Sequence, residues 1–440
     1  MPHTRNTSPT LRRCGRAAIA LMIATGVACS AADSLLEVED PDIINPSNLN
    51  SASAATALSA GIALRIAQAT SGGESLFLFG GLLADEWRSG DTFEQRNTTD
   101  QRATVPENSF LAGQLRNLMR IRVEGELAVG ALRQYRPDPK SDVGRLFAFT
   151  AFAENLIGEH FCSGVPFSSL DGSRIVYGEP ITTDSVFALS IANADSALAN
   201  RAGADSTNVG SLAAVIKGRA LLNRGAFAAA AVAVAGVATS YRHQVTHSAN
   251  ATSNQIWSLN TSAKRYVLSD REGINGLNFR SANDPRVPST AGGVAFDTFT
   301  PFVSQSIWTR FSPVTIVSGI EARLIEAEAA AKAGSATYLT ILNALRSSGG
   351  VAGLAALTDP GTEAGRVDQI FRERAFWLFG TGHRLGDLRR LIRQYGRGPE
   401  TVFPTGAFHK GGSYGPAVNI PVPFDEENNP NFEGCINRDA

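Results

Sequence analysis

No apolar run in this sequence is long enough to cross a membrane. The longest beyond the leader, Ala226–Ala238, has 13 residues, mostly alanine, where a spanning helix needs roughly 20. It reads as a packed helix. The sequence also lacks a surplus of charge. Lys and Arg number 40, Asp and Glu 41, for a net charge of −1. Without a basic excess there is no face for nucleic acid, which binds through phosphate contacts. Histidine and cysteine are scarce, six and four in 440 residues, so little is available for a metal centre or a histidine-based hydrolase. What is present is an ordinary globular mixture, 43% hydrophobic and 18% charged, long enough for one large domain or two.

The first 28 residues lack Asp and Glu altogether but hold Arg5, Arg12, Arg13 and Arg16. The apolar stretch Ala17–Val27 follows. A basic start, a short apolar core and small residues before a cut site make a secretory signal peptide. Gly26-Val27-Ala28-Cys29 resembles a bacterial lipobox, with Gly26 where leucine is usual. It predicts that residues 1–28 are removed and that Cys29 is acylated as a lipid anchor at a membrane surface. The alternative is an ordinary signal peptide cut nearby, with Cys29 a bystander. Arg12-Arg13 followed by Cys14-Gly15-Arg16 fits a twin-arginine signal poorly.

Cys14 leaves with the leader and Cys29 takes lipid, so Cys162 and Cys435 remain in an oxidising compartment. A disulfide between them is expected; two free buried thiols are the alternative.

Beyond the anchor, residues 29–46 read as an acidic tether and 47–440 as the body. Apolar stripes predict helices over Asn48–Thr70, Leu115–Tyr135, Gly144–Glu159, Asp184–Asn200, Ser211–Arg224 and Phe227–Ala238, with a shorter one after Gly80. The alanine-rich pair Ser211–Arg224 and Phe227–Ala238 resembles a tetratricopeptide-type hairpin. Residues 240–317 lose the helical stripes and become rich in Asn, Ser, Thr, Gly and Pro, which predicts long loops with short strands. Helices return at Ser318, where Ser318 and Glu321 fit a capping box. Glu321–Ala333, Tyr338–Ser347, Glu363–Phe379 and His383–Tyr395 follow, and Gly334 ends the first of them. The tail 398–440 is rich in Gly and Pro and reads as irregular. The fold class is therefore mainly α: a superhelical body of helical hairpins over 47–239 and 318–397, with a loop-rich, ligand-facing insert over 240–317.

Catalytic patterns fail on context. Gly411-Gly412-Ser413-Tyr414-Gly415 matches G-x-S-x-G, but a nucleophile elbow needs a strand before it and a helix after it. Here Gly and Pro surround it, so it reads as a loop. Gly380-Thr381-Gly382 follows a helix instead of a strand and fails the dinucleotide pattern. His243 and His247 are offset by four but have no third ligand near, and read as two solvent-facing side chains. Asp85-Glu86 are adjacent, so their side chains diverge. The chain reads as no enzyme, with no cofactor and no metal. Aromatic residues in polar, irregular stretches are the better lead, because sugars and peptides stack on rings. Trp87, Trp257, Tyr266 and Trp308 are the candidates, one or two of which should be exposed while the rest fill the core.

Late in the chain three stretches share one pattern. Glu321-Ala322-Arg323-Leu324-Ile325-Glu326-Ala327-Glu328-Ala329 is one. Arg372-Glu373-Arg374, continuing through Gly382-His383-Arg384-Leu385-Gly386-Asp387-Leu388-Arg389-Arg390, is the second. Ile420-Pro421-Val422-Pro423 with Asn429-Pro430 is the third, and Asn283-Asp284-Pro285-Arg286 precedes them. Together they resemble the SusD/RagB family of outer-membrane nutrient-binding lipoproteins, with Thr381 and Leu385 where that family often has Glu and Trp. The resemblance implies a helical body and a loop-rich face that binds an oligosaccharide, or a peptide. It also implies a TonB-dependent outer-membrane transporter as partner, at the cell surface. A helical scaffold that binds only a protein partner is the reading from another class. Glu328, Glu373, Arg384 and Asp387 read as structural ion pairs: Arg384 with Asp387, three apart on a helix, and Glu373 with Arg389 or Arg390.

Overall fold

A computed structural model describes residues 49–172 and 174–440. The signal peptide, Cys29 and the tether expected over 29–46 lie outside the described residues.

The chain begins with α1 (Ala52–Ser71), α2 (Leu76–Leu83), β1 (Trp87–Ser89), α3 (Glu94–Asp100), α4 (Ser109–Tyr135) and α5 (Lys140–His160). Four short strands follow, β2 (Val165–Pro166), β3 (Ser169–Asp171), β4 (Arg174–Val176) and β5 (Pro180–Ile181). Next come α6 (Thr183–Ala199), α7 (Ser206–Asn223) and α8 (Phe227–Val234). The insert holds β6 (Arg242–Val245), β7 (Tyr266–Leu268), β8 (Ser289–Val294), β9 (Pro301–Gln305) and β10 (Val314–Ser318). The last long helices are α9 (Gly319–Lys332), α10 (Thr337–Ser348), α11 (Glu363–Trp377) and α12 (Arg384–Tyr395), and a single turn, Pro399–Val402, follows.

The helices pack in succession. α1 lies on α4, α4 on α5, α5 on α6 and α7, α7 on α8, α8 on α9, and α9 on α10 and α11. This is a stack of helical hairpins, and its core is the apolar stripe of each helix. Leu146, Phe149, Ala153, Leu156 and Ile157 of α5 are all buried. Burying such a stripe supplies most of a helix's stability, at about 25 cal/mol per Å² of apolar surface. Small residues set the spacing: a side chain at Gly218 of α7 would overlap Val234 of α8. Helix α8 stops at Val234, four residues before the expected Ala238, so that Val237 can turn back onto Val234 and lead into β6. At α9 only half of the expected capping box forms. Ser318 Oγ accepts from the Glu321 amide at 3.1 Å, while the Glu321 side chain is drawn to Arg219 and His383.

All the sheets among the described residues have two strands, paired β1–β7, β6–β10, β2–β5, β3–β4 and β8–β9, each antiparallel. Three of these pairs draw on the 240–317 insert. The tail folds back on the body. Gly415 and Ala417 amides donate to Gln101 and Arg102 carbonyls, Ile420 exchanges hydrogen bonds with the His160–Cys162 stretch, and a Cys162–Cys435 disulfide closes the contact.

Candidate functional site

Five phenylalanines are exposed among the described residues, and three of them, Phe93, Phe296 and Phe299, share one set of polar partners. Phe93, Phe296 and Phe299 are 46%, 46% and 58% exposed. Phe93 precedes α3, and the other two sit in the turn between β8 and β9. Arg265, just before β7, links them: its guanidinium lies 3.8 Å from the Phe296 ring centroid and 5.2 Å from that of Phe93.

Beneath the rings is a buried polar frame. Asp91 is fully buried and receives Arg265 at 2.8 and 3.0 Å, together with Arg96. Arg96 also pairs with Glu74 and lies under Phe93 and Phe110. Burial pushes the Asp91 carboxyl up, but the Arg265 and Arg96 guanidiniums outweigh it and hold the carboxyl below its usual range. From the tail, Lys410 reaches Asp297 at 2.8 Å, donates to the Asp91 carbonyl and lies 5.4 Å from the Phe299 ring. Asp297 also caps its own turn, accepting from Thr300 N–H at 2.9 Å. The two ring-bearing loops meet at Gly90: its carbonyl accepts from Asp297, its amide donates to Arg265, and a side chain there would overlap Ala295. Rings that would otherwise bury themselves are thus fixed in the open, which suits stacking on the apolar face of a ligand.

The aromatic candidates separate. Trp87 and Tyr266 are wholly buried, so neither can stack on a ligand; this corrects their assignment. Trp87 packs against Phe379, and Tyr266 donates to Glu74 at 2.6 Å, within the frame under the exposed rings. Trp257 is half-buried in a short helical turn. Trp308 lines a cleft of about 370 Å³ together with Trp377, Ile320 and Arg242. Phe93, Phe296, Phe299 and Arg265 were not singled out from sequence. The one local signal is Phe296-Asp297-Thr298-Phe299, two rings flanking turn-forming residues.

The motif charges are buried and paired, but not as expected. Arg384 does not pair with Asp387. It grips Asp85 at 2.6 and 2.9 Å, while Asp387 takes Arg374 and Arg390, each at 2.8 Å. Those guanidiniums overcome the cost of burial and hold the Asp387 carboxyl far below its usual range. Glu373 meets neither Arg389 nor Arg390; it binds Arg286 at 2.7 Å and Arg346 at 2.6 Å. Glu328 joins Arg390 and accepts from Tyr395 at 2.8 Å. Apart from the Asp387–Arg390 contact within α12, each of these side chains takes a partner from another part of the chain, where the buried face lies.

Among the described residues no group of histidine, cysteine and carboxylate side chains is arranged to hold a metal ion. His243 and His247 are not solvent-facing. His243 is set edge-on to Phe149, and His247 is buried with Nε2 3.0 Å from Ser71 Oγ. β6 carries His243, and four extended residues span about 13 Å, too far to share an ion. Ser413 lies in an exposed loop with no strand leading into a helix. Asp85 and Glu86 follow α2 and are both buried.

No model of a known protein family matches the chain, and no curated protein does. Solved structures do. A SusD superfamily protein from Parabacteroides distasonis superposes with a TM-score of 0.66 at 13% identity, covering 87% of this chain and 98% of that one. Surface glycan-binding protein A from Bacteroides uniformis gives 0.64 at 14% identity, over 87% and 98%. A SusD-like carbohydrate binding protein from Bacteroides vulgatus gives 0.60 at 12% identity, over 87% and 97%. Such coverage at such low identity establishes a shared architecture, and the chain has the fold of the SusD superfamily.

Proposed function

We propose that this protein binds a glycan at its surface and performs no chemistry on it. The observation that carries this reading is the open ring surface of Phe93, Phe296 and Phe299, fixed by Arg265 and Lys410. Sugars present C–H faces to rings and hydroxyls to the polar groups between them. Two structures of the same fold bear names that state glycan or carbohydrate binding. The reading extends to a lipid anchor at Cys29, a position on the outer membrane at the cell surface, and delivery of the ligand to a TonB-dependent transporter. The domain limits proposed are 1–28 for the signal peptide, 29–46 for the tether and 47–440 for the body.

The test is a binding screen of the purified protein against oligosaccharides and short peptides, repeated with Phe299→Ala. Glycan binding is expected, weakened by about tenfold or more in the variant, since one stacked ring contributes on the order of 1–2 kcal/mol. Peptide hits with no glycan hit would overturn the reading.

A further inference from the structure

The cleft beside β10 is a separate place from the exposed phenylalanine surface, and its lining is lopsided. The walls are rings and aliphatic groups, among them Trp308, Trp377 and Ile320. The polar groups left unmatched are donors. Arg242, at the start of β6, is exposed and has no ion pair or hydrogen bond to its side chain among the described residues. Trp377 Nε1 is buried without an acceptor. His383, only 4% exposed, is not one of them: its Nδ1 lies 2.9 Å from Thr381 Oγ1 and its Nε2 3.3 Å from Glu321.

The charges deeper in the cleft are already satisfied. Glu321 lies 3.3 Å from His383 Nε2 but is neutralised by Arg219 at 2.6 and 2.8 Å. Arg286 is committed to Asp284 and Glu373, and its guanidinium stacks 5.1 Å from the Trp377 ring. Two successive glycines bring the free groups together at the rim. A Cβ at Gly349 would come 2.7 Å from the Trp377 ring, and one at Gly350 would lie 3.8 Å from the Arg242 guanidinium. Trp308 is fixed on the other wall. Its amide donates to the Gln305 side-chain oxygen at 2.7 Å, and its ring edge rests on Gly380.

Unmatched cationic and indole donors beside ring walls call for a ligand with an apolar face and an anionic acceptor. A hexuronate offers both. Its C–H face stacks on indole, and its carboxylate accepts two parallel hydrogen bonds from a guanidinium. A cavity of this volume has room for about one sugar unit with its flanking bonds. We propose that this cleft holds a uronic acid unit of an acidic glycan, with Arg242 on the carboxylate and Trp308 and Trp377 against the ring. The assignment rests on the glycan-binding reading above and adds the substrate class.

Calorimetric titration of the purified protein tests it, with a trigalacturonate and its carboxyl-reduced neutral counterpart as probes. The acidic probe is expected to bind about tenfold more tightly than the neutral one, a preference that weakens with salt. Arg242→Gln should erase the preference by lowering the affinity for the acidic probe about tenfold, to that for the neutral one. Its exposed, unpaired side chain leaves the melting temperature as a check on folding. Trp377→Phe, which keeps a ring and removes the donor, should lower acidic binding several-fold, and Phe299→Ala should leave the preference intact. If Arg242→Gln retains the preference, the cleft assignment is wrong. If wild type shows no preference and Phe299→Ala weakens both probes, the glycan reading stands and the cleft assignment falls. If neither probe binds, the cleft assignment is overturned, and the oligosaccharide screen alone decides the wider reading.

Discussion

Glu86 is a carboxylic acid with nowhere to put a charge. It is 1% exposed; one oxygen accepts the Gly380 amide at 2.9 Å, and the other has no partner. Burial pushes its pKa up to about 8, only partly offset by the Gly380 hydrogen bond. In the unfolded chain the group titrates near 4.5. Between those values the folded protein holds a proton that the unfolded chain has lost, so stability falls as pH rises through the window and levels off above it. Glu86→Gln keeps an acceptor for Gly380 and removes the titration. Wild type and variant should melt alike near pH 4, below the window, and the variant should gain on wild type from there to pH 8, by on the order of a few kcal/mol at the upper end. Melting curves at four pH values check this, and parallel profiles would contradict it. The residue scale is also where the sequence was least legible. Arg384 and Asp387 share a helix face, and local spacing favours their pairing. Yet Asp85, about 300 residues earlier, offers Arg384 a bidentate partner in a buried setting, where a well-aligned charge pair outweighs an exposed local one. The Arg286 of the Asp-Pro-Arg stretch was in view as a motif residue, but nothing local links it to Glu373.

Elements were far more readable, because a helix announces itself by its own period. Nearly every expected helix is present, with ends shifted by a few residues where caps or tertiary contacts decide. Ser51 and Asn108 set the starts of α1 and α4. The loop-rich insert was legible as an absence of period, but the pairing of its strands was not, since β1 and β6 find partners far along the chain. The 405–415 loop shows the consequence. By sequence it is a Gly-rich connection with an incidental hydrolase pattern; in the fold it is a strut. His409 and Lys410 from this loop reach Ser89, Asp91 and Asp297, which carry the exposed rings. Burial, with Arg88 nearby, pushes the His409 ring down to about 3, so it stays neutral and the strut carries one positive charge, that of Lys410. Lys410→Met should free the Phe296–Phe299 turn while Asp297 keeps its Thr300 contacts. Glycan affinity is expected to fall several-fold with a loss of stability of about 3 kcal/mol, because Asp297 is left buried without its cation, and Lys410→Arg should recover part of the affinity. Titration beside thermal melts checks it. Unchanged affinity in Lys410→Met would remove the loop from the binding surface.

At the scale of the whole molecule, a few charged motifs near the end of the chain pointed to the architecture that superposition establishes at 12–14% identity. The reason is physical. Those motifs form a buried ionic cluster joining α9, α11 and α12, and removing one member of such a pair costs about 3–5 kcal/mol. The proposed ring surface also rests on buried ion pairs, but these join stretches near residues 90, 265, 297 and 410, so no contiguous motif encodes it. The anchor belongs to this scale as well. No helix among the described residues is long and apolar enough to cross a membrane, and the proposed attachment is the lipid on Cys29. The 18 residues from 29 to 46 can span at most about 60 Å, which keeps the body within reach of an integral partner in the same membrane. Mild-detergent extracts of cells making the native chain should yield it together with a barrel transporter. Cys29→Ser should move the protein into the soluble fraction and lose the transporter, while glycan binding by the purified variant stays the same. Recovery of wild type with no barrel partner would remove delivery from the proposal and leave binding. A Cys29→Ser protein that stays in the membrane fraction would instead show that the anchor is elsewhere.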